Sequence, residues 1–257
     1  TVWRHKRDPK TPFVLDLAHT MRHTILDASD RFRRRSKGGL SGDVVEEFDY
    51  ETGRLLDVLD ELELSDNTLV LYTSDNGPWN QDKYTKNKKG HPEGSIFWGD
   101  AGRLRNGKGS PYEGGYRLPC IARWPGKVPA GRKSDAVFAT IDFMPTFAKL
   151  CGFKIPDDRK IDGVNQTDLL LGKSEKGRDT FYFDRAGIRK GKWKYLKADA
   201  HFYGYAREDD RPKEEELYNL KKDLEEKNNL AKKYPKILTE LRRLTESMPK
   251  DGPGGIR

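Results

Sequence analysis

The chain has 257 residues, 34% of them hydrophobic and 35% charged, with a formal net charge of +8. That length can bury a sizeable core, as one large domain or as a domain with a smaller companion, although the balance is lean in apolar residues. No run of about 18 apolar residues occurs, which excludes a transmembrane helix, and two cysteines, Cys120 and Cys151, cannot build a disulfide framework.

The start, Thr1 to Pro9, lacks an initiator Met and an apolar segment of the signal-peptide type, and is expected to lie in the interior of a longer protein. Phe13 to Ala18 follows Pro12 and reads as a strand, with His19 and His23 just past its end. A helix is predicted from about Gly42 to Leu62, where Val44, Val45, Phe48, Leu55, Leu59 and Leu62 form an apolar stripe. Ser65-Asp66-Asn67 turns the chain into Leu69 to Thr73, an uncharged run that reads as a buried strand. The order strand, helix, strand predicts a βαβ unit with a right-handed crossover.

Residues 77 to 115 are polar and glycine-rich, the signature of a long functional loop. Leu118 to Trp124 reads as a short strand closed by Pro125-Gly126, with Cys120 a core thiol. Val137 to Phe147 passes from strand to helix, Asp142 serving as N-cap and Pro145 lying in the first turn, and that helix ends near Cys151-Gly152. Thr180 to Phe183, Arg189 to Leu196 and Glu216 to Leu220 are predicted strands. A closing helix from about Pro235 to Met248 carries Ile237, Leu238, Leu241, Leu244 and Met248 on one stripe.

Chemistry concentrates at three places. The strand ending in Asp75-Asn76-Gly77 delivers a carboxylate and an amide oxygen to a sheet edge, where open α/β sheets bind ligands. Two such oxygens suit a hard cation, Ca²⁺ or less readily Mg²⁺; an ordinary turn leaving a strand is the alternative. The segment Gly107 to Arg117 sets Lys108 among four glycines, which let the backbone approach another group closely. It is no nucleotide P-loop, because Gly109 stands where Ser or Thr is required. His19 and His23 share the spacing of helical zinc ligands but lack the intervening Glu. The basic clusters Arg31 to Arg35 and Lys83 to Lys89 read as solvated surface rather than a docking groove.

Together, Pro12-Phe13-Val14-Leu15 with His19-Thr20-Met21-Arg22-His23, Gly42 to Asp49, Thr73-Ser74-Asp75-Asn76-Gly77, Gly107 to Gly115, Arg123-Trp124-Pro125-Gly126 and Leu217-Tyr218-Asn219-Leu220 resemble the sulfatase family, within the alkaline phosphatase superfamily. The resemblance implies an α/β fold: residues 1–170 as the C-terminal part of a mixed-sheet catalytic domain, and residues 171–257 as a small α+β subdomain with a short antiparallel sheet and one helix. It implies hydrolysis of sulfate esters of a carbohydrate or aryl type. Asp75 and Asn76 correspond to one pair of Ca²⁺ ligands, Lys108 to a lysine on the sulfate oxygens, and His23 to a histidine near the leaving-group oxygen.

The family's formylglycine nucleophile arises from a Cys/Ser-x-Pro/Ala-x-Arg motif, and none occurs here; after Cys120 the arginine comes at the third position rather than the fourth. The motif, with a second pair of metal-binding aspartates, is expected upstream, so this segment alone is expected to be inactive. Arg22 and Ile25 stand where the family usually shows proline. The partner implied is an anionic small-molecule or glycan sulfate ester, with no nucleic acid and no membrane; oligomeric state stays open. The family implies a secreted, periplasmic or lysosomal setting, and the pocket is expected to be shaped by Pro78 to Arg105. A phosphodiesterase or phosphonate hydrolase of the same superfamily and a noncatalytic anion-binding protein are the rival readings.

Overall fold

The computed structural model describes residues 8, 10–23, 26–79, 99–203 and 210–248. The Lys83 to Lys89 cluster and most of the Pro78 to Arg105 loop lie outside the described residues. The elements run α1 (Gly39–Glu61), β1 (Val70–Thr73), α2 (Glu113–Tyr116), β2 (Cys120–Arg123), α3 (Phe143–Cys151), α4 (Thr167–Leu170), β3 (Thr180–Phe183), β4 (Gly187–Lys190), β5 (Trp193–Leu196), β6 (Glu216–Asn219) and α5 (Pro235–Glu246). The mixture of helices and small sheets is that of an α/β protein.

The expected βαβ unit is not formed. Residues 13–18 make no strand, and Val14, Leu15 and Leu17 are exposed, since an extended run without a ladder partner has nowhere to place its N–H and C=O groups. β1 pairs instead with β2, antiparallel, with Thr73 opposite Cys120. Neither strand is the buried one expected: Tyr72 and Ile121 are exposed, and so is Cys120 rather than a core thiol. Along α1 only Ser41, Asp43 and Val44 are fully buried; of the expected stripe, Phe48, Leu55, Leu59 and Leu62 are half-buried and Val45 is exposed. Val44 joins Leu26 and Ala28 in a small core, and Phe48 reaches Tyr72 with ring centroids 5.7 Å apart. The start of α1 is braced by Asp43, whose carboxylate accepts N–H bonds from Arg34, Arg35 and Ser36 at 2.7 to 3.0 Å. Burial would raise that carboxyl, and the three donors hold it below its ordinary value.

Asp142 stands at the N-cap position of α3, and Gly152 closes that helix with φ of 75°. The Asp142 side chain, however, makes no capping bond to that helix. It accepts from Ala139 N at 3.0 Å, Val164 N at 2.8 Å and Arg178 Nη2 at 2.5 Å, tying three segments together. The expected strand before α3 does not form.

The last third is an antiparallel meander, β3-β4-β5-β6. The expected single strand from Arg189 to Leu196 is two strands, because Gly191 at φ of 54° turns the chain back on itself. Alternation then splits the sheet into two faces. Ile188, Tyr195 and Leu217 turn to α5 and meet Leu241, with Ile237, Leu238 and Leu244 around them. Leu196 and Tyr218 turn to the opposite face and meet Tyr112, which comes from the glycine-rich loop. A sheet covered on both sides explains why every residue of β6 is buried.

Candidate active site

Four ties converge where β1 ends. Gly77 N–H donates to Gly115 O at 2.9 Å, and Lys108 N–H donates to Pro78 O at 2.8 Å. The approach is so close that a Cβ on Gly77 would sit 1.8 Å from Gly114 O, which requires glycine there. Thr73 Oγ1 donates to Pro119 O at 3.0 Å, and Gly114 N–H donates to Arg105 O at 2.9 Å. The Asp75-Asn76 end of the strand and the Lys108 loop are therefore one backbone unit, although about thirty residues separate them in sequence.

Onto this unit comes His23, whose Nε2 lies 3.1 Å from Lys108 Nζ. The two residues are 85 positions apart and meet through their side chains. His19, the other histidine singled out by spacing, points elsewhere: its ring packs edge-on to Phe48 at 4.7 Å, and its Nδ1 accepts Met21 N–H. Arg22 Nη2 bonds Ser41 Oγ at 2.5 Å, which fastens the segment bearing His23 to the first turn of α1.

Asp75 is exposed at the strand end. Its Oδ1 accepts Asn76 N–H at 2.9 Å and Ser74 Oγ at 3.4 Å, while Asn76 Nδ2 donates to Gly77 O at 3.0 Å. With the amide nitrogen engaged on its neighbour, Asn76 Oδ1 and Asp75 Oδ2 are the atoms left to ligate. Two adjacent oxygens fit a hard cation as part of a shell that needs six or more donors. Among the described residues no group of three or more His, Cys, Asp and Glu gathers, so they supply at most part of such a shell.

Beneath the loop lies a buried charge cluster that sequence reasoning did not assign. Lys194 of β5 reaches Glu113 Oε1 at 3.0 Å and Glu226 Oε1 at 2.8 Å, all three side chains being out of solvent. Glu226 Oε2 also accepts Glu113 N–H at 2.7 Å, and Glu113 Oε2 takes Arg117 Nε at 2.9 Å. Burial opposes ionisation of Glu113, but Lys194 and Arg117 hold its carboxyl down to about 2. Burial pushes Glu226 the other way, up from its ordinary value despite Lys194. At the other end of the loop, Arg105 stacks over Tyr112 at 3.8 Å, pairs with Asp210 at 2.6 Å, and donates to Tyr218 OH and to Glu226 O. In the sequence the corresponding signal is the Tyr112-Glu113-Gly114-Gly115 run, a glutamate set beside two glycines.

Two family descriptions match, "Sulfatase" over residues 4–153 and "N-sulphoglucosamine sulphohydrolase, C-terminal" over residues 107–250. The chain belongs to the sulfatase family. Among the sulfatases it resembles, the steryl-sulfatase of Homo sapiens is 40% identical over 178 residues, 69% of this chain and 29% of that protein. The N-acetylgalactosamine-6-O-sulfatase of Bacteroides thetaiotaomicron is 35% identical over 255 residues, 95% of this chain and 48% of that protein. A solved chain from work on the metabolism of multiple glycosaminoglycans by Bacteroides thetaiotaomicron superposes with a TM-score of 0.74 at 33% identity, covering 88% of this chain and 48% of its own. This sulfatase chain thus spans about half the length, or less, of the relatives it matches.

Proposed function

We propose that the protein hydrolyses sulfate esters of a sulfated carbohydrate, with His23 and Lys108 acting on the transferring group and Asp75 and Asn76 holding part of a Ca²⁺ site. The observation that carries this reading is the 3.1 Å meeting of His23 Nε2 and Lys108 Nζ beside the Asp75-Asn76 strand end. A carbohydrate is favoured over a sterol because the N-acetylgalactosamine-6-O-sulfatase match runs through 95% of this chain, whereas the steryl-sulfatase match covers 69%. Residues 1–170 form the catalytic α/β part in this reading, and residues 171–257 the small α+β subdomain.

Sulfuryl transfer spreads negative charge over the peripheral oxygens and builds it on the leaving oxygen. Lys108 supplies an ammonium to the peripheral oxygens. Before substrate arrives, Lys108 Nζ and His23 Nε2 lie 3.1 Å apart. An ester oxygen entering between them accepts from Lys108, and His23, carrying its proton on Nε2, donates to the leaving oxygen. When bound, Ca²⁺ supplies fixed positive charge toward the sulfate oxygens. The nucleophile is not among these 257 residues, since no Cys/Ser-x-Pro/Ala-x-Arg motif occurs in them.

The test joins this chain to a segment bearing that motif and compares aryl sulfate with aryl phosphate esters. Faster turnover of the sulfate supports the reading; preference for phosphate selects the phosphodiesterase alternative. No hydrolysis of either, with heparin binding that survives Asp75→Ala and Lys108→Ala, selects the noncatalytic anion binder.

A further inference from the structure

We propose that Glu226, at the edge of the C-terminal sheet, is a positioning residue that fixes Lys108 by clamping both ends of its loop at once. Its carboxylate takes Glu113 N–H at 2.7 Å on the far side of the loop, and its main-chain carbonyl takes Arg105 Nη1 at 3.1 Å on the near side. Lys108 lies between those two anchors. Lys194 completes the clamp by pairing with Glu226 at 2.8 Å and Glu113 at 3.0 Å, entirely out of solvent.

Glu226 is itself held in an unusual conformation, φ of 54°, which a side chain other than glycine adopts only when its surroundings over-determine it. From Glu113 the path to the site is short. The next two residues, Gly114 and Gly115, lean on Arg105 O and receive Gly77 N–H, and Gly77 directly follows Asp75-Asn76. A further strut joins the same surfaces, Tyr203 N–H donating to Gly109 O at 2.9 Å, immediately after Lys108. The C-terminal sheet therefore sets the Lys108 ammonium against His23 and the strand end without touching substrate itself.

A buried carboxylate that merely stabilised the fold would change melting temperature and leave the reaction of folded molecules alone. A positioning residue changes the reaction below the melting temperature, because misplacement of a catalytic group by about 1 Å can cost on the order of a hundredfold. Three variants separate the two roles. Glu226→Ala removes the acceptor for Glu113 N–H. Glu226→Gln keeps an amide oxygen in its place. Leu241→Ala weakens the same subdomain from the α5 side, away from the clamp.

Assayed with an aryl sulfate below each variant's melting temperature, in the protein joined to its nucleophile segment, Glu226→Ala is expected to lose about tenfold or more in kcat, with KM within about threefold. Glu226→Gln is expected to recover most of that loss, and Leu241→Ala to keep wild-type kcat. Equal kcat for Glu226→Ala and wild type, or an equal loss in Leu241→Ala, overturns the proposal. The catalytic readout rests on the sulfatase reading; the clamp is also read without it. Amide hydrogen exchange across residues 107–115 should accelerate in Glu226→Ala and not in Leu241→Ala. Unchanged protection overturns the clamp even if the enzyme proves to act on another ester. A wild type with no turnover but the expected exchange pattern would refute the sulfatase reading and leave the clamp standing.

Discussion

In the proposed reading Lys108 and His23 divide the work by charge and by proton, so their variants should fail differently. Lys108→Ala removes a full charge from the transferring group and should lower kcat/KM by about a hundred- to a thousandfold for all sulfate esters. His23→Ala removes a proton donor to the leaving oxygen. Its loss should therefore be small for nitrophenyl sulfate, whose leaving group needs little help, and rise toward about a hundredfold or more for an alkyl or sugar sulfate. Kinetics with a leaving-group series checks this; an equal loss across the series would contradict the role. Gly77 is constrained by space alone. Gly77→Ala places a methyl 1.8 Å from Gly114 O and should cost on the order of 2–4 kcal/mol in a denaturant titration.

Asp75, Asn76, Lys108 and His23 are singled out in the sequence by residue type and by the sulfatase-like motifs they lie in. The structure brings His23 to Lys108 and ties the backbone of the Lys108 loop to the end of the Asp75-Asn76 strand. Glu113, Lys194 and Glu226 were not legible. In Trp193-Lys194-Tyr195-Leu196, alternation puts Lys194 on the face opposite Trp193 and Tyr195, but period-two reasoning cannot tell solvent from a second covered face. Glu226 lies in a turn after β6 and acts through a contact with a residue 113 positions away.

At the scale of elements, local pattern held where an element closes its own hydrogen bonds. α1, α3 and α5 lie close to their predicted bounds, since a helix satisfies its backbone internally. Residues 13–18 have the composition of a strand and are not one, because a strand exists only against a partner. The predicted stripe on α5 is the one best supported by packing: Ile237, Leu238, Leu241 and Leu244 all meet the sheet, while Met248 falls beyond the helix end. Leu241→Ala should accordingly cost about 2–5 kcal/mol, read as a lowered melting temperature.

The buried cluster adds a pH signature at this scale. Glu113 in the folded chain sits near 2, below its ordinary 4.5, so its contribution is fully present above about 4.5 and is lost as pH falls toward 2. Glu226 is raised and has the opposite sign: its contribution is present at low pH and is lost as pH rises through its folded value. Urea titrations from about pH 6 down to about pH 3 should show wild type losing more stability than Glu113→Gln across the acid range. Parallel curves for the two proteins would contradict the ionised state of Glu113.

Across the whole molecule, the C-terminal sheet has two duties assigned to its two faces. One face holds α5, and the other holds the loop that carries Lys108. The net charge of +8 accords with an anionic substrate. Asp75 and Asn76 predict metal dependence of the joined protein: chelation should abolish turnover, added Ca²⁺ should restore it, and Asp75→Ala should raise the Ca²⁺ concentration needed for half-activity. The account rests most heavily on Lys108 and His23 meeting to act on a sulfate ester. Its most direct test is the release of sulfate from a 6-O-sulfated hexosamine by the joined protein, wild type beside Lys108→Ala. Hydrolysis by wild type with a loss of about a hundredfold or more in the variant is the predicted result; an equal rate in both, or hydrolysis of the matching phosphate ester in preference to the sulfate, would contradict it.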